Sequence, residues 1–133
     1  MNMSAVRKFL IKDAAYDNRD IGVLQYNTET KVFNINILTG YPISEYPILF
    51  NLALKSDLVA LPQDWVNIWI RERLIPPNRQ NIGSILAAAG LKAYDEFGML
   101  MYTTGRCAQD YCYLEELISD TEINVNQETN LFD

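Results

Sequence analysis

Apolar and polar positions alternate most regularly between residues 32 and 38, where Val32 is followed by Phe33, Ile35 and Ile37 interleaved with Asn34 and Asn36. A period of two sends alternate side chains to opposite faces, so this segment is predicted to be a strand with one apolar and one wet face. Residues 21–26 read as its partner, and the polar NTET segment between them (27–30) predicts a hairpin. Gly22 marks a bulge or a close backbone approach. Residues 5–12 form a short apolar-rich run suited to a first strand, whereas residues 13–20 are polar and read as a loop. The expectation is three antiparallel strands with one face in water.

Beyond a turn at residues 39–42 (TGYP), the spacing becomes helical. Ser44 can cap a helix through its hydroxyl, and Tyr46, Leu49, Phe50 and Ala53 follow at near-helical intervals. Pro47 fits only a first turn, where its missing N–H costs no hydrogen bond. Residues 63–74 give the strongest helical pattern: Trp65, Ile68 and Trp69 form a stripe that Val66 and Ile70 widen. Trp65 and Trp69 are expected to build the core. Arg71 and Arg73 stand near the C-terminal end, where cations suit the helix dipole, and Ile75-Pro76-Pro77 stops the helix. Asn78 is the expected N-cap of a helix over residues 79–89, with Ile82, Ile85, Leu86 and Ala89 buried and Gly90 ending it. Asp95 caps a third helix over residues 96–103, with Phe97, Leu100 and Met101 inward and Gly105 at its end. Residues 106–117 fit a strand or a short helix, and periodicity leaves both open. The last ten residues are expected to fray.

These elements predict an α+β fold: a small N-terminal antiparallel sheet packed against three to four C-terminal helices. A chain of 133 residues suits a single domain, with residues 1–42 β-rich, 43–118 helical and 119–133 an acidic, frayed tail. No apolar run is long enough for a transmembrane helix. The first residues lack the sustained apolar core of a signal peptide, so a cytoplasmic setting and reduced thiols are expected. No Lys or Arg follows Arg106, so the acids from Asp110 onward supply the whole excess behind the net charge of −6. Such a balance disfavours nucleic-acid phosphates and membranes. The tail reads as a solvated segment, with an interaction tail for a basic partner as the alternative.

The chain has no histidine, which removes Ser–His and Cys–His nucleophilic pairs and the commonest metal ligand. Cys107 and Cys112 are too few for a structural zinc site and read as buried small side chains. A Cys107 thiolate beside Arg106 is the alternative, with no base partner evident. Glu115 and Glu116 are neighbours that point apart, and the glycines at 83, 90, 98 and 105 form no phosphate loop. No catalytic residue, metal or cofactor is therefore assigned. A helix-turn-helix around Gly90 would lead with Asp95 and Glu96, the wrong sign for a phosphate backbone. Arg71, Arg73, Arg79 and Arg106 remain, in a segment rich in tryptophan and tyrosine, the make-up of interface hot spots. The bland counterpart is internal pairing with Glu72, Asp95, Glu96 or Asp110, which suits Arg79 best and allows a local Arg106–Asp110 pair. The candidate partner surface is Arg71, Arg73, Arg106, Asp110 and Tyr111, facing a protein whose identity the sequence does not give.

The series Trp69, Arg73, Ile75-Pro76, Arg79, Ile85-Leu86, Gly90-Leu91 and then Gly105 to Asp110-Tyr111 resembles the N-terminal region of HipA-like proteins of Firmicutes. There a Trp-x-x-x-Arg-x-x-Pro-x-x-Arg run precedes a leucine-glycine helix end and a Ser-Asp-Gln-Tyr-Trp-type segment before the kinase domain. The resemblance covers residues 64–114; GRCAQDYCYL keeps Asp110-Tyr111 but lacks the terminal tryptophan. No kinase residue carries over, so no ATP chemistry is implied. The resemblance implies an accessory domain that binds and restrains a partner, as in toxin–antitoxin systems. The leading expectation is a non-enzymatic cytoplasmic protein-binding module. The alternatives are a small enzyme or ligand-binding domain using Cys107 and Asp110, and a helix-turn-helix DNA-binding protein.

Overall fold

The computed structural model describes residues 5–117, so the segment expected to fray lies outside the described residues. Four antiparallel strands, β1 (Val6–Asp13), β2 (Arg19–Asn27), β3 (Val32–Ile37) and β4 (Cys112–Glu116), form one sheet in the order β3-β2-β1-β4. Four helices lie between β3 and β4 in the chain: α1 (Ile48–Lys55), α2 (Gln63–Arg71), α3 (Ile82–Ala89) and α4 (Glu96–Thr103). The α+β arrangement is as expected.

The alternation in β3 places Phe33, Ile35 and Ile37 in the core and leaves the asparagines exposed. Register continues that apolar face across the sheet, with Phe9 opposite Leu24 and Leu24 opposite Ile35. Gly22 combines both expected roles. The β1–β2 register shifts beside it, since Ile11 pairs with Gly22 but Lys12 with Asp20, which leaves Ile21 as the extra residue of a bulge. A Cβ on Gly22 would also stand 3.1 Å from both Asn36 O and Phe50 Cε2. The expected loop over residues 13–20 is narrower than read: residues 14–18 are a 3-10 helix and turn, while Asp13 ends β1 and Arg19 and Asp20 begin β2. Polar residues continue the two strands because they pair at the margin: Lys12 Nζ donates to Asp20 at 2.7 Å and Arg19 to Glu45 at 2.9 Å. A 3-10 turn, Ala14–Tyr16, and the left-handed pair Asp17 and Asn18 separate the strands, with the Asp13 carboxylate accepting from Ala15 N.

The C-terminal half departs further. Residues 43–118 are not uniformly helical, because β4 returns to the sheet and pairs along β1. The choice between strand and helix there depends on a partner a hundred residues away, so no local period could make it. The outer edge of β3 is closed by residues 59–63: Ile37 N donates to Val59 O, Leu61 N to Ile35 O and the Gln63 amide to Phe33 O. Covering an edge in this way blocks pairing with other chains.

The core fills the space between the apolar sheet face and α1, α2 and α4, with Phe50, Ala53, Trp69, Ile70 and Leu100 at its centre. The α2 stripe is turned from its expected setting. Val66, Trp69 and Ile70 are buried, Trp65 is partly buried, and Ile68 is 39% exposed. The buried positions are spaced i, i+3 and i+4, and the next is Arg73 at i+7. The i, i+3, i+4 spacing holds, but it starts at Val66 rather than Trp65.

Ser44 belongs to a 3-10 turn, Ile43–Glu45, and caps nothing; α1 begins after Pro47. Asn78 does not cap α3, which starts at Ile82 behind Asn81 in a left-handed conformation, because residues 76–82 are taken up by successive tight turns. The expected α3 stripe faces inward but is only half-buried, so α3 is a peripheral helix. Asp95 caps α4 as expected, accepting from Gly98 N at 2.6 Å. No described helix is long and apolar enough to cross a membrane.

Candidate functional site

The described residues form two concavities with no lining residue in common. The smaller, about 340 Å³, lies at residues 106–112 and contains most of the expected surface. One of its lining residues, Asp110, is bound to Arg73, whose side chain is 0% exposed. Nε donates to Gly105 O at 2.8 Å, Nη1 to Trp69 O at 3.0 Å, and Nη2 to Asp110 Oδ2. The guanidinium carbon also stands 3.5 Å above the Trp69 ring centroid, a cation–π arrangement inside the core. The helical period of α2 aims Arg73 inward, and the left-handed turn at Thr104 and Gly105 brings a carbonyl to meet it. The expectation that Arg73 reaches a partner is therefore corrected: it fastens α2 to the segment entering β4.

Asp110 is bound in the same clasp. Oδ2 accepts from Arg73, while Oδ1 accepts from Cys112 N at 3.0 Å and lies 3.8 Å from Cys107 Sγ. Both oxygens already have donors, so Asp110 is neither a surface ligand nor a base available to Cys107. No Arg106–Asp110 ion pair is present among the described residues; Arg106 instead lies over the Tyr113 ring at 4.6 Å. Arg106 and Tyr111 are exposed on the rim, Tyr111 at 70%. Cys112 is buried as expected. Burial pushes its thiol pKa far up, and the neighbouring Asp110 charge adds to the shift. Cys107 is only half-buried. No group of three His, Cys, Asp or Glu among the described residues could hold a metal.

The larger concavity, about 570 Å³, receives Arg71 but none of the other expected residues. One wall is the aromatic end of the sheet. Tyr26, 5% exposed, lies 4.6 Å from the Phe33 ring and stacks on Phe97 at 4.2 Å. The opposite wall is Leu74, Pro76 and Pro77, steadied by Tyr94, whose hydroxyl donates to Ile75 O at 2.6 Å. Charge divides the rim. Lys31 and Arg71 have no ion pair among the described residues, and neither has Glu96, whereas Asp95 is held by its cap to Gly98 N. Burial raises the Tyr26 pKa, and the nearby carboxylates of Asp95 and Glu96 raise it further, so the phenol is neutral. The hydroxyl has no hydrogen-bond partner among the described residues and can donate to a ligand. Sequence reasoning missed this cleft. It draws on a hairpin, a proline pair and a helix start, whose only common signal is aromatic residues at the ends of elements.

No family model, curated protein or solved structure matches this chain.

Proposed function

We propose that the protein is a non-enzymatic, cytoplasmic protein-binding module whose partner occupies the larger cleft. The observation that carries this reading is the combination of an apolar floor with two rim cations lacking ion partners among the described residues. An extended partner segment can seat an apolar side chain against Tyr26, Phe97 and Pro76 and set an acidic side chain against Lys31 and Arg71. Apolar area at the centre and polar groups at the rim is the usual anatomy of such an interface.

A caged organic cation is a poorer occupant. Phe97 already has Tyr26 on one face and its ring is also approached by Arg7, 5.0 Å from the centroid, so the wall offers few free ring faces. An enzyme in which Asp110 serves Cys107 as a general base is a poorer reading, because Asp110 is engaged with Arg73. In this reading, the residues that resemble the N-terminal region of HipA-like proteins act chiefly as scaffold, since Trp69, Arg73, Gly105 and Asp110 meet in one clasp. An accessory or antitoxin-like regulator remains the biological role proposed.

The test is affinity capture from the native host, followed by calorimetry with the purified partner. Three baits are compared: wild type, Arg71→Glu with Lys31→Glu, and Arg106→Glu. A partner bound by wild type and Arg106→Glu but lost with the Arg71/Lys31 variant, at unchanged melting temperature, is the expected result. A partner lost only with Arg106→Glu would move the interface to the smaller concavity. Loss with neither variant would refute the cleft.

A further inference from the structure

The clasp contains a chemistry that the binding reading leaves unused. Cys107 and Cys112 both line the smaller concavity, and both border one carboxylate. Asp110 Oδ1 is 3.8 Å from Cys107 Sγ and 3.0 Å from Cys112 N. Residues 107–111 form a bend without regular structure, tied down through Asp110 to the buried Arg73. Cys107 is half-buried and Cys112 buried, and both border the concavity. The two thiols therefore lie at the ends of a short loop around the group that locks the loop.

We propose that Cys107 and Cys112 are an oxidisable pair: a hydroperoxide converts them to an intramolecular disulfide, and closing that bond releases Asp110 from Arg73. In the first step the Cys107 sulfur attacks the peroxide, so an S–O bond forms and the O–O bond breaks. The departing oxygen takes a proton and leaves as an alcohol, or as water when the oxidant is hydrogen peroxide. In the second step the Cys112 sulfur attacks the Cys107 sulfenic acid. The S–S bond forms, the S–O bond breaks, and the hydroxyl leaves as water with the thiol proton. Two thiols thus lose two electrons and two protons to the peroxide. Burial holds the Cys112 proton tightly, so this step waits for the loop to open. A disulfide also requires its two Cβ atoms to approach within about 4.5 Å, which draws the ends of the loop across the space beside Asp110.

The full chain is treated with hydrogen peroxide under native conditions and digested with trypsin under alkylation. Because no Lys or Arg follows Arg106, cleavage there releases one peptide with both cysteines. The expected product is that peptide lighter by two hydrogens, absent in Cys107→Ser, a half-buried position that tolerates the change. Tryptophan emission should shift on oxidation and return on reduction, because Arg73 lies 3.5 Å over Trp69 in the closed clasp. Three results would overturn the proposal: an oxygen adduct on Cys107 without loss of hydrogens, a covalent dimer, or no reaction. A disulfide that leaves the emission unchanged would overturn the release of Asp110. A rate that follows the globally unfolded fraction in denaturant would overturn the native pairing.

Discussion

Arg71 and Arg73 leave the same end of α2 two residues apart, yet they serve opposite kinds of concavity. Arg73 is buried, with its nitrogens divided among two carbonyls and a carboxylate. Arg71 stands exposed at the cleft, with no ion pair among the described residues. The difference comes from helical phase: one residue continues the buried stripe and the other has rotated out of it. Composition alone puts both residues in one class. Geometry separates a cation whose interactions are satisfied within the fold from one with no ion pair among the described residues.

The most severe way to break this comparison is to truncate each arginine in turn. Arg73→Ala removes one partner of a buried ion pair and leaves Asp110 and two carbonyls short of donors. The expected loss is about 3–5 kcal/mol in urea denaturation. Arg71→Ala, at an exposed position, is expected to change stability by less than about 0.5 kcal/mol. Equal losses for the two variants would erase the distinction between clasp and cleft.

A pH titration sharpens it from both sides. The Cys112 thiol on the clasp side and the Tyr26 phenol at the cleft are raised above their ordinary values of 9.0 and 10.0, mainly by burial. For a raised pKa, the folded state holds its proton more tightly than the unfolded state does. The contribution is complete below the ordinary value and is lost as pH rises above it. Stability should therefore begin to fall near pH 9.0, where the unfolded thiol first ionises, and fall more steeply above pH 10.0. Replacing Cys112 with Ala should remove the first part of the decline and leave the second. An unchanged profile in that variant would show that the thiol is not the group responsible.

How much was legible in the sequence follows the range of the interactions. The β3 alternation and the Asp95 cap are written within a few residues, and both appear as read. The α2 stripe lies one position from its expected setting because Trp65-Ile68-Trp69 and Val66-Trp69-Ile70 are both apolar, and the choice between them shows only where Arg73 finds its acceptors. Two of those acceptors, at residues 105 and 110, lie more than thirty residues away in the chain. β4 was undecidable for the same reason, since only β1 makes it a strand. The cleft is the extreme case: Tyr26, Pro76 and Phe97 have no shared period, and their proximity is a property of the tertiary fold alone.

The mildest test concerns α3, the helix with no fully buried residue. Gly83 lies inside it, and a Cβ there would meet nothing within 4 Å. Since α3 neither joins the clasp nor lines the cleft, its stability should follow intrinsic helix propensity. Gly83→Ala is then expected to stabilise the fold by about 0.5–1 kcal/mol, measured as a higher denaturation midpoint at unchanged slope. Gain of that size would place α3 inside the same cooperative unit as the sheet and the clasp. No gain would mean that α3 opens separately from the core, so that stability added to it never reaches the global transition. Because α3 follows the proline wall, that second outcome would also predict that Arg73→Ala loosens the clasp without disturbing α3.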